Sequence, residues 1–209
     1  MSVESGALAS PRTLLARHEG TKPLSTLHNA NWSATEVVIG KSTELPDGAA
    51  GYDLFALCVD AQLGISNEMV AAWEFAAQRQ LPRILLVHGL DGSGQIDFDD
   101  IVLIANRILE EVLTPFLVLH DEAAGPIGLI EIRTGQVRDY SIDPVAHYAA
   151  DNELLELVSE FRDETDRQIS EVGEDAFAQG RIAIALPLIE RNQIGLAELN
   201  SILATLPMH

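Results

Sequence analysis

The chain of 209 residues has one cysteine, two lysines and few aromatic side chains (5%), and each scarcity removes a class of function. A single cysteine, Cys58, forms neither an internal disulfide nor a thiolate metal cage. Its place in the apolar run LFALCV reads as a small buried thiol. Lys22 and Lys41 are the only lysines, and 13 basic residues stand against 32 acidic ones, for a formal net charge of −19. No dense Lys/Arg cluster offsets that field, so direct nucleic-acid binding is not expected. No apolar run approaches the roughly 18 residues that a membrane span needs. The start, MSVESGALASPRTLL, lacks the basic opening and apolar core of a secretory signal. These absences predict a cytoplasmic location and no membrane partner. The histidines show neither H-x-x-x-H nor H-E-x-x-H spacing, and G-x-S-x-G is absent, so neither a zinc site nor a nucleophile elbow is expected.

Against this background the apolar patterning is strong, with 47% hydrophobic residues. LFALCV and RILLVHG are continuous apolar runs suited to strands buried on both faces, and PFLVL reads as a third. Between them lie two helical stretches. Ser66 is placed to cap the first, with Met69, Val70, Trp73, Ala76 and Ala77 at helical spacing. Asp97 opens the second, with Asp99 and Asp100 in its first turn and Ile101, Ile104, Ile108 and Val112 on its apolar face. Strands alternating with helices predict βαβ units and a mainly parallel sheet. GLIEIRTGQVRDYS reads as a hairpin around Thr134-Gly135. A long acidic helix from Asn152 to Val172 is expected next, then a strand in RIAIALPLI and a closing helix from Gly195. Residues 1–50 are the least orderly, with TEVVIG as a short strand between loops. The expected organisation is one domain over 1–209, with an inserted hairpin-plus-helix subdomain over 126–180.

From Tyr52 onward the sequence resembles the G domain of the elongation factor G family of translational GTPases, in degenerate form. Val59-Asp60-Ala61, His88-Gly89-Leu90-Asp91 and Asp97-Phe98 follow the order of that family's landmarks. PIGLIEIRTGQVRDY and DNELLELVSEFRDETD are similar to its inserted subdomain, and NQIGLAELNSILATLP to its closing helix. The resemblance implies a P-loop-NTPase-like α/β fold: a mainly parallel sheet flanked by helices, with a small inserted α+β subdomain.

The chemistry of that family is harder to find. A phosphate-binding loop needs glycines, a lysine and Ser/Thr in the pattern G-x-x-x-x-G-K-[ST]. Gly6, Pro11, Arg12 and Thr13 fall in that register, with Arg12 for the lysine and Pro11 for the second glycine. Proline removes an N–H donor, and a guanidinium is a differently shaped cation. Asp91 matches the aspartate of the family's asparagine-lysine-x-aspartate motif, which accepts from guanine, while His88 and Gly89 replace the first two residues. Asp91-Gly92 is equally a turn signal. No aspartate-x-x-glycine precedes the Leu54 strand, and no switch threonine or water-positioning histidine is present, although phosphoryl transfer rests on such groups. The Asp97/Asp99/Asp100 and Glu160/Asp163/Glu164/Asp166 clusters read as a helix start and a solvated helix face. His120-Asp121-Glu122 follows a strand end, where α/β folds place ligands.

Arg12, Thr13, His88 and Asp91 are thus the candidate vestigial nucleotide site, with no catalytic residue and no metal ligand. The expectation is a non-catalytic G-domain homologue, a pseudo-GTPase that binds a protein or ribosomal component and needs no cofactor. The alternative is an atypical protein that binds GTP or GDP with magnesium in a remodelled site.

Overall fold

The computed structural model describes residues 10–40, 45, 51–91, 96–123 and 125–207. Its first layer is a six-stranded parallel sheet. The strands are β1 (Arg12–His18), β2 (Ser33–Ile39), β3 (Leu54–Asp60), β4 (Arg83–His88), β5 (Val112–Leu113) and β10 (Ala183–Pro187), in the order β2-β1-β3-β4-β10-β5. Every residue of β4 and β10 is buried, which is why RILLVH and AIALP read as unbroken apolar runs.

Helix α1 (Asn67–Gln78) is capped by Ser66, whose side chain accepts from the Met69 N–H. It buries Met69, Ala72, Trp73 and Ala76 against the sheet, with Trp73 edge-on to Phe55 at 6.1 Å between centroids. Asp97 caps helix α2 (Phe98–Ile108) in a reciprocal capping box with Asp100. The buried face of α2 is Phe98, Ile101, Val102 and Ala105. Ile104 and Ile108, expected on that face, are 38% and 43% exposed. The face is therefore rotated from the one that the isoleucines suggest.

PFLVL does not enter the parallel sheet. Only the two residues of β5 pair with β10 there. Phe116–His120 forms β6 in a second, antiparallel sheet with β7 (Pro126–Glu131), β8 (Gln136–Asp139) and β9 (Ala146–Ala149), in the order β6-β7-β8-β9. The hairpin around Thr134-Gly135 is the β7–β8 connection, and Gly135 has φ +69°. The expected long acidic helix is two: α3 (Asn152–Leu157) and α4 (Ser159–Val172), divided at Val158. Helix α5 (Leu196–Leu203) closes the fold.

Two buried ion pairs tie these parts together. Arg83 at the start of β4 is 3% exposed and bidentate on Glu110, with Nε to Oε1 at 2.6 Å and Nη2 to Oε2 at 3.0 Å. Trp73 Nε1 donates to the same carboxylate at 2.7 Å. Glu198 of α5 is 0% exposed and accepts from Arg138 (2.7 Å) and from the Tyr140 hydroxyl (2.9 Å), both in the second sheet's β8 segment. Burial, followed by the Glu198 charge, pushes the Tyr140 pKa upward.

Candidate functional site

All six strands of the first sheet run the same way, so their C-terminal ends share one edge, where open α/β sheets bind ligands. Among the described residues, the segments at that edge include Glu19–Leu24 after β1, Ala61–Ile65 after β3, Gly89–Asp91 after β4 and Leu188–Glu190 after β10.

The β3 and β4 ends are stitched together. Ala61 N–H donates to the His88 carbonyl at 2.8 Å, and Gln62 Nε2 to that of Gly89 at 3.3 Å. Gly89 has φ +74°, and a Cβ there would sit 2.7 Å from Asp60 Oδ1, so only glycine fits this turn. His88, the last residue of β4, is 7% exposed, and its Nε2 is buried with no hydrogen-bond partner. Burial lowers its pKa from the usual 6.5, against the opposing pull of the Asp60, Glu190 and Asp91 carboxylates. The imidazole is therefore neutral at pH 7.

That shift has a measurable sign. A histidine whose pKa is lower folded than unfolded binds more protons unfolded. His88 thus contributes stability that is present above the unfolded pKa of about 6.5 and is lost as pH falls through the folded value. Urea unfolding is expected to give a steeper stability loss between pH 7 and 5 in the native chain than in His88→Gln. Equal slopes would remove His88 from this role.

The segment after β1 has turned its donors inward. Glu19 N–H bonds the Ile39 carbonyl (2.9 Å), Gly20 N–H bonds His18 Nδ1 (3.1 Å), and Thr21 N–H bonds the His18 carbonyl (2.9 Å). Thr21 Oγ1 is buried without a partner. Lys22, Pro23 and Leu24 lead into a 3-10 helix of only five residues, Ser25–Asn29. Glu190, after β10, fastens its start: Ser25 N–H and Oγ donate to Glu190 Oε1 at 2.8 and 3.0 Å.

The sequence-predicted residues divide between two edges. His88 and Asp91 lie at the C-terminal edge. Arg12 and Thr13 open β1, at the other edge, and do not belong to a loop. Arg12 pairs with Asp53 (Nη2 to Oδ1 2.9 Å), and the buried Thr13 donates to the Pro11 carbonyl at 3.3 Å. Six and five steps of about 3.3 Å along β1 put Arg12 ~20 Å and Thr13 ~17 Å from His18. The four do not form one site; Gly6 lies outside the described residues.

The loop that follows the first strand is instead Glu19–Leu24. Counted back from Lys22, the phosphate-loop pattern falls on Ala16, Thr21, Lys22 and Pro23, so only the lysine matches. The missed signal was position: Lys22 follows the strand RTLLARH, whereas Arg12 begins it.

The other candidates have local explanations. Asp121 Oδ1 accepts from the Ala123 and Gly125 N–H groups (2.9 and 2.8 Å), making a turn after β6 of the second sheet. Asp97 and Asp100 are the helix cap, and Glu164 and Asp166 pair with Arg167 and Arg133. Among the described residues no three metal-binding side chains converge, and no helix is long and apolar enough to cross a membrane.

With this geometry in hand, comparison with known proteins bears on the fold. No protein-family model matches the chain, and no curated protein matches it. Among solved structures, the crystal structure of a protein from Thermus thermophilus aligns with a TM-score of 0.67 at 18% identity. The shared fold is α/β: a mainly parallel sheet flanked by helices, with a second, antiparallel sheet. The alignment covers 95% of this chain and 40% of the Thermus protein, so this chain spans well under half of that neighbour's length. At that identity the likeness is one of fold, extending over both sheets of this chain.

Proposed function

We propose that this chain is a non-catalytic relative of the elongation factor G type of G domain, acting as a binding module for a protein or ribosomal component. The observation that carries this reading is the loop after β1. A phosphate cradle presents free backbone N–H groups at the start of a helix. Here the N–H groups of Glu19, Gly20 and Thr21 are spent on the chain's own acceptors, and Pro23 has none to give. The following 3-10 helix is too short to present a dipole. Glu19, Asp60, Asp91 and Glu190 add negative charge to an edge that would have to hold phosphates. These residues do not fit a nucleoside triphosphate with magnesium.

A second reading, an atypical guanine-nucleotide site, is favoured by Lys22 standing in that loop and by the unpartnered His88 Nε2 near Asp91. One titration separates the two. Calorimetry of the nucleotide-stripped protein with GTP and GDP, with and without magnesium, is expected to give no binding heat at millimolar nucleotide. Saturable micromolar binding would overturn the first reading in favour of the second.

A further inference from the structure

Parallel neighbours need a crossover that covers one sheet face, usually a full helix. Between β3 and β4 this is α1, with 12 residues. Between β1 and β2 it is a loop carrying only the five-residue 3-10 helix. Side chains alternate along strands, so Arg17 and Cys58, paired in register, face away from the Phe55 side that α1 covers. On their face the short crossover leaves a cavity of about 320 Å³. That is the low end of the range for small-molecule sites, about 300–1,000 Å³.

The chemistry of the cavity is divided. One part of its wall is apolar, with Leu15, Leu24, Leu27 and Ala34 beside the indole of Trp32, and His28 also lines it. Cys58 at its floor is a neutral thiol, pushed up to about 12 chiefly by burial. Its polar end is an ion pair, Arg17 Nε to Glu36 Oε1, with Arg17 Nη1 also donating to the Thr21 carbonyl at 2.6 Å. Those bonds use two of the five guanidinium N–H donors. The pair is neutral overall but sets a strong donor next to a strong acceptor.

We propose that this cavity binds a small, uncharged aromatic carboxamide, its ring against Trp32, its carbonyl on Arg17 and its amide N–H on Glu36. A bare carboxylate meets Arg17 but is repelled by Glu36. An aromatic hydrocarbon meets the apolar wall but leaves both polar partners unanswered. The site lies on a sheet face and borders the C-terminal edge through Leu24 and the Thr21 carbonyl, but it does not depend on the function proposed above.

Benzamide is the probe, with benzoate as its charged counterpart, titrated into the full chain and followed by amide NMR shifts. Saturable shifts centred on Leu15, Trp32 and Ala34 are expected, with benzoate binding at least about tenfold more weakly. Glu36→Gln and Ala34→Phe both change exposed positions, the first removing the charged acceptor and the second filling the cavity. Each is expected to weaken benzamide about tenfold or more, the scale of one hydrogen bond to a charged group, while leaving the remaining spectrum folded. The proposal is overturned if benzamide gives no saturable shift, if its shifts centre elsewhere, if neither variant weakens it, or if benzoate binds equally well.

Discussion

Glu110→Ala is expected to cost about 3 kcal/mol of unfolding free energy, the low end of what breaking a buried ion pair costs. The reason lies with the partner left behind. Arg83 is 3% exposed, and its Nε and Nη2 would lose both carboxylate oxygens at once. Its Nη1 bonds to the Leu81 and Gly180 carbonyls hold the guanidinium in place, so it cannot swing out to solvent. The Trp73 indole N–H would lose its acceptor as well. Glu110 itself is 30% exposed on its side chain, and partial access for water is what sets the expected cost at the low end. Urea denaturation at pH 7 checks this. A loss under about 1 kcal/mol would mean that water already screens the pair as it does on a surface. The double variant Arg83→Met/Glu110→Leu is expected to recover most of the loss, because it removes the stranded charge.

Glu198→Ala is the second large effect, and its signature is local. Glu198 is fully buried on α5, and its partners Arg138 and Tyr140 come from the other sheet. Removing the carboxylate leaves the Arg138 guanidinium, with the Phe116 ring 5.6 Å away, and the Tyr140 hydroxyl without their partner. Because the Arg138 side chain is 21% exposed, the cost is expected at the low end, about 3 kcal/mol. Loss should concentrate where the two sheets are joined. Hydrogen exchange in β7 and β8 is expected to accelerate more than in β3 and β4. Glu198→Gln, which keeps an acceptor for the Tyr140 hydroxyl, should lose distinctly less. Uniform acceleration across both sheets would show that the pair supports the fold as a whole and does not act as a joint.

The sequence made some of this plain. Strands buried on both faces announce themselves, and β3, β4 and β10 stand where LFALCV, RILLVH and AIALP predict. Ser66 and Asp97 are legible caps because their side chains bond backbone within three residues. What stayed hidden depends on distance. An apolar run such as PFLVL satisfies either sheet, and only the pairing of Phe116 with Glu131 decides between them. The isoleucines of α2 suggested a buried stripe, but Phe98, Val102 and Ala105 turn the helix away from Ile104 and Ile108. The break at Val158 carries no proline or glycine.

The candidate site was half legible. His88 and Asp91 could be placed because the strand before them is unmistakable. Arg12 and Thr13 could not, because a spacing pattern fixes no position until the strand that precedes it is located. Once β1 is seen to end at His18, the loop moves to Glu19–Leu24.

The order of strands also imposes an order of events. On a ribosome, β4 is made early, but its neighbour β10 comes from residues 183–187, and among the described residues β5 pairs in the first sheet only with β10. The tether from Ser25 to Glu190 spans 165 residues. A growing chain can therefore lay down β1, β2, β3 and β4 while their open side waits for the final stretch. The second sheet, whose pairings run between near neighbours in sequence, is free to form in the interval. The last strand in sequence completes the first sheet, joining β4 to β5, and Glu190 just beyond it holds the 3-10 helix.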